Sequence, residues 1–220
     1  MNGDQVAALR DLLAPTGWLD QTWYFGRALR DRARTPAGLL VVGSPAEEPW
    51  HMTAHLAEES RLAGLPGLAP TLVRWAPRPG APPHLSAGIE RLETVRPDET
   101  LLVVTAAAAP EALLSRLADA RRAGSTIFAL DTDDPDLDGL AHEALAIQPA
   151  TAPVSFDAAQ HLVTAAAGEA RQPVSAGRDP GSSRPGGPGR PGRREVRGGL
   201  RGRLAHLLDT VSGTPAGWPG

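Results

Sequence analysis

Residues 100–148 read TLLVVTAAAAPEALLSRLADARRAGSTIFALDTDDPDLDGLAHEALAIQ, and the alternation in this stretch decides the fold. Leu101–Val104 is an apolar run too short for a helix, which makes it a buried strand. Pro110 stands where a helix tolerates a missing N–H, and Glu111 follows on the positive end of the helix dipole. Leu113, Leu114, Leu117 and Ala120 then form one stripe, and Gly124 supplies a left-handed stop. Thr126–Leu130 reads as the next strand and Pro135–Leu145 as a second amphipathic helix, with Leu137, Leu140, Ala141 and Ala144 inward. Ala144–Ile147 overlaps its end as a short last strand. Strands separated by helices of this length pair in parallel.

Working outward, Gly38–Gly43 (GLLVVG) is a first strand apolar on both faces, and Trp50–Ala63 is a helix ended by Gly64. Thr71–Trp75 is a second strand, and His84–Thr94 carries a helical pattern through Leu85, Ile89 and Leu92. A helix is expected from Trp18 or Leu19 to Arg32, holding Trp18, Trp23, Tyr24 and Phe25, four of the nine aromatics in the chain. These rings either cover the sheet or form a subunit interface. Asp4–Leu13 is a further N-terminal helix, and Phe156–Ala170, capped by Ser155, closes the body. The expected fold class is α/β, a three-layer doubly wound five-stranded parallel sheet over residues 1–170.

The remainder differs in kind. Residues 171–199 are rich in Pro, Gly, Ser and Arg without hydrophobic periodicity, the composition of a disordered C-terminal arm. Over 200–212 a helical stripe returns, formed by Leu200, Leu204, Leu207, Leu208 and Val211; alone it is too short to be stable, so it predicts docking on a protein partner. Residues 171–220 hold nine Arg against three acids, leaving about −9 on the first 170 of a chain whose net charge is −3. These arginines lack interleaved aromatics, which argues for a solvated linker over nucleic-acid binding. All 22 basic residues are Arg and there is no Cys, so disulfides and thiolate chemistry are excluded. A reducing, cytoplasmic setting fits. No apolar run reaches the ~18 residues of a membrane span, and no signal-peptide pattern begins the chain.

The succession Asp98, Leu101–Thr105, the Glu111 helix, Ala123-Gly124, Ile127–Leu130 and Asp136–Ile147 resembles the SIS domain of phosphosugar isomerases and phosphosugar-binding regulators, over roughly residues 18–170. The resemblance implies a five-stranded parallel sheet, a homodimer and a sugar phosphate or other carbohydrate derivative as ligand. It places ligand contacts at Gly43, Ser44, Thr105 and Glu111. In the family the third-strand loop is rich in hydroxyls; here Thr105-Ala106-Ala107-Ala108-Ala109-Pro110-Glu111 keeps only one. The first loop, Gly43-Ser44-Pro45-Ala46-Glu47-Glu48, has lost an N–H to Pro45 and gained two acids that repel a dianion. A noncatalytic carbohydrate-derivative-binding or regulatory protein is therefore expected.

Two alternatives stand beside it. His55-x-x-x-Glu59 resembles the His/Glu spacing of sedoheptulose-phosphate isomerases, and one helical turn puts both on one face. Glu59 and His55 are thus the candidate catalytic pair of an aldose–ketose isomerase. A zinc site from His55, Glu59 and Gln160 would lack its fourth partner, since Gly168 and Glu169 stand where a later histidine is expected. The acidic run Asp131, Asp133, Asp134, Asp136 and Asp138 has no EF-hand register. No metal and no cofactor are assigned. The other alternative is an interaction scaffold acting through the C-terminal stripe.

Overall fold

The computed structural model describes residues 17–82, 85–148, 150–152 and 154–169. The expected helix at Asp4–Leu13, the 171–199 arm and the stripe from Leu200 to Val211 lie outside the described residues. In chain order the elements are α1 (Trp18–Arg32), β1 (Leu39–Val42), α2 (Trp50–Ala63), β2 (Pro70–Val73), β3 (Thr100–Val104), α3 (Glu111–Arg122), β4 (Thr126–Asp131), α4 (Pro135–Asp138), β5 (Glu143–Ala146) and α5 (Phe156–Gly168). The five strands form one sheet in the order β2-β1-β3-β4-β5, and every pair is parallel.

Both faces of this sheet are covered, and residue alternation assigns each side chain to its layer. Leu39, Val41, Leu102, Val104, Phe128, Leu130 and Leu145 point toward α1, α2 and α5, where they meet Phe25, Leu29, Met52, Leu56 and Val163. Their neighbours Leu40, Val42, Leu101, Val103, Ile127 and Ala129 pack on the opposite side against Leu92, Leu113, Leu117, Ala120 and Leu137. The continuous apolar runs seen in the sequence are thus the signature of strands buried twice. Among the described residues no helix is long and apolar enough to cross a membrane.

Three expected elements differ. The helix expected over Pro135–Leu145 stops at Asp138, because Gly139 and the pull of β4 on residues 143–146 end it; Ala144 is exposed and sits in β5. A single buried anchor, Leu137, was enough to mimic amphipathicity. The His84–Thr94 pattern becomes a 3-10 helix over Ile89–Thr94 with only Leu92 buried. Strand β2 ends at Val73, and Arg74 leaves it to bridge Gly88. The aromatic group of α1 divides: Trp18 and Phe25 enter the core, Phe25 meeting Phe128 edge-on at 5.4 Å, while Tyr24 is exposed.

Helix α5 is buried from Ala159 through Gly168 and packs on both α1 and α2. The α1 contact requires Gly26, where an added Cβ would stand 2.6 Å from the Val163 carbonyl oxygen and 2.9 Å from the Ala167 nitrogen. On an exposed helix Gly→Ala gains about 1 kcal/mol. Here the overlap is with helix backbone, so an overpacking cost of about 1–3 kcal/mol should win. Gly26→Ala is expected to lower the urea midpoint; an unchanged or raised midpoint would show that the two helices do not approach this closely.

Candidate functional site

In an open parallel sheet ligands sit outside the carboxyl ends of the strands, at the point where strand order reverses. That point lies between β1 and β3, and the loops there contain the four residues expected to bind an anion. Three of them are engaged within the chain. The Gly43 carbonyl accepts a hydrogen bond from Trp75 Nε1 at 2.8 Å, and an added Cβ at Gly43 would lie 2.7 Å from Pro49 Cδ. Ser44 is buried and its Oγ accepts from the Glu47 N–H at 3.1 Å. Thr105 is buried as well, its hydroxyl donating to the Ala107 carbonyl at 2.7 Å. Glu111 is the exposed first residue of α3.

One amide of the third-strand loop is also taken. Ala109 N–H, just before α3, donates to Asp134 Oδ2 at 2.7 Å, while Asp134 Oδ1 caps α4 through the N–H groups of Asp136 and Leu137. A carboxylate of the chain itself therefore lies beside the residue that precedes the N-cap of α3. Behind it Asp131, with no exposed surface, accepts from the N–H groups of Asp133 and Asp134 at 2.7 and 3.2 Å. Its second oxygen faces Asp138, and neither Asp131 Oδ2 nor Asp138 Oδ1 has another partner. Burial, and then the charges of Asp138 and Asp134, raise the Asp131 carboxyl to about 6 against its two backbone hydrogen bonds; burial raises Asp138 too.

Beside this closed edge lies an open cleft of about 460 Å³, lined by Trp50, Arg74, Arg78, the turn at 79–82 and Leu85. Arg74 is held from two sides: its Nε meets Glu48 Oε2 at 2.9 Å, and its guanidinium lies 4.5 Å from the Trp50 ring centroid. Trp50 remains 41% exposed. Glu48, which the sequence suggested would repel a ligand anion, is spent on Arg74.

The proposed catalytic pair lies elsewhere, on α2 where it faces α5. His55 stands beside His51, their Nε2 atoms 2.9 Å apart, and both rings pack on His161 with centroids 4.4 Å away. Glu59, one turn on, comes against Gly168 at the end of α5, where a side chain would collide with it. His161 is buried, and that burial, followed by the neighbouring imidazoles of His55 and His51, lowers its pKa to about 4. Sequence reasoning passed over His161 by looking two turns beyond Gln160, while His161 is the next residue. The signal available was His51-x-x-x-His55, an i, i+4 pair able to share one ion. No family model matches the chain, and no curated protein matches it. The order β2-β1-β3-β4-β5 is one that doubly wound proteins of unrelated function share, so topology locates a site without naming its ligand.

The Asp131 carboxyl yields a pH prediction. Its folded pKa lies above the unfolded value, so the folded state binds the extra proton and stability falls as pH rises from about 4 to about 6. Asn at this position would keep both accepted bonds and donate to Asp138. Asp131→Asn should therefore raise stability at pH 8 by about 1–3 kcal/mol and flatten the pH 4–6 slope, measured by chemical denaturation at several pH values. Destabilisation at pH 8 would mean that the buried charge is compensated.

Proposed function

We propose that this chain is a noncatalytic binding protein for a carbohydrate derivative, SIS-like in architecture, and that it receives its ligand in the Trp50 cleft instead of on the strand-end loops. The half-exposed Trp50 ring, fixed by Arg74 at the mouth of the cleft, carries this reading. An indole face matches the C–H face of a sugar ring, and the cleft volume falls within the ~300–1,000 Å³ of small-molecule sites. Arg78 on the same cleft, exposed, offers a planar donor to a carboxylate or phosphate substituent.

The loops support the same conclusion from the other side. Ser44, Thr105 and Ala109 N–H all have internal hydrogen-bond partners, and a phosphate seeking the Ala109 N–H would have to displace Asp134. Among the described residues the cleft lining carries no carboxylate and no imidazole, whereas aldose–ketose isomerisation needs a base at the reacting carbons.

Thermal shift with hexose, pentose and heptose phosphates and the matching uronic acids tests the proposal. A ligand at 100 times its Kd should stabilise the protein by about 2.7 kcal/mol. Trp50→Ala should abolish that gain, and Ser44→Ala should leave it intact. Absence of any shift at millimolar ligand, or a shift that survives Trp50→Ala, would overturn the reading.

A further inference from the structure

Three of the six histidines of the chain converge where α2 faces α5. His51 and His55 are one turn apart on α2, and His161 reaches them from α5, 106 positions beyond His55 in the chain. One ring nitrogen from each lies within 4.8 Å of the other two, and the ring centroids are 4.4–4.6 Å apart. We propose that His51, His55 and His161 form a binding site for one divalent transition-metal ion of the zinc class.

The chemistry of the donors selects the ion. Three neutral imidazoles with neither thiolate nor carboxylate among them suit Zn²⁺, Co²⁺, Ni²⁺ or Cu²⁺ and disfavour Mg²⁺ and Ca²⁺, which seek oxygen. Zinc–nitrogen bonds of about 2.0–2.1 Å in a tetrahedron require nitrogens about 3.3 Å apart. The His51–His55 pair at 2.9 Å is already near that value, and the third nitrogen, within 4.8 Å of both, has to close to it when the ion binds. Without an ion the two facing Nε2 atoms share one proton in an N–H···N hydrogen bond, which an ion on their lone pairs would replace.

The surroundings are arranged as a metal site requires. Asp157 Oδ1 stands 3.5 Å from His51 Nδ1, so a proton on Nδ1 leaves Nε2 free to point into the cluster. His161 is buried while His51 is exposed, so the fourth coordination position faces the His51 side, where water or an external ligand can enter. This donor set differs from His55, Glu59 and Gln160, the set weighed from sequence, and it needs no fourth side chain.

The test uses untagged full-length protein stripped with chelator. Isothermal titration with ZnCl₂ should show one Zn²⁺ per chain, and Co²⁺ should give the visible absorption of a low-symmetry four-coordinate ion. His51→Ala and His55→Ala, checked by circular dichroism for an unchanged fold, should each abolish stoichiometric binding; both positions lie toward solvent, so the fold should tolerate them. Asp157→Asn should weaken binding by roughly 10–100-fold. A wild type that binds no Zn²⁺ stoichiometrically, or a folded His51→Ala/His55→Ala double variant that binds it unchanged, would overturn the proposal.

Discussion

The structure depends on covering both faces of β1, β3 and β4 at once. A parallel sheet cannot leave a face in water when its strands read LLVV, TLLVV and TIFALD, so every connection must carry an apolar surface back across it. α1, α2 and α5 meet this demand on one side; α3, the 3-10 helix and Leu137 of α4 meet it on the other. The same arrangement sends all five strands out at one edge, where their following loops must lie together. The position of any ligand site is set by that packing before any polar residue is chosen.

At that edge the polar groups have been matched to one another. A buried N–H or hydroxyl without a partner costs about 1–3 kcal/mol, so a loop that binds a ligand anion must leave such groups to water or to the ligand. Here Asp134 satisfies Ala109 and the first turn of α4, Ser44 satisfies Glu47, and Thr105 closes on Ala107. These hydrogen-bonding groups of the loops are thereby taken up within the chain. The neighbouring cleft differs in that its aromatic and guanidinium groups keep exposed surface.

Helix α5 joins the architecture to the imidazole cluster. It covers the sheet with Ala159, Val163 and Ala167 and yet carries Gln160, His161 and Thr164, all buried. Close packing on α1 at Gly26 and on α2 leaves it little freedom to rotate, so His161 is held opposite His51 and His55 by apolar contacts. Precision in the imidazole cluster is inherited from the core, which is how a rigid scaffold positions polar chemistry.

Local pattern alone determined the α/β class, the five strands, the bounds of α2 and the Ser155 cap of α5, whose Oγ accepts from the Ala158 N–H. These follow from periodicity, capping and glycine stops, all of which act within a few residues. It misjudged 135–145, where strand pairing with β4 overrode a weak helical stripe. Only the tertiary structure could decide that Asp134 meets Ala109, 25 positions away, that Arg74 seats on Trp50, and that His161 joins His51 and His55. Such meetings depend on which helices share a face of the sheet and at what rotation, and no short-range spacing in the chain encodes that.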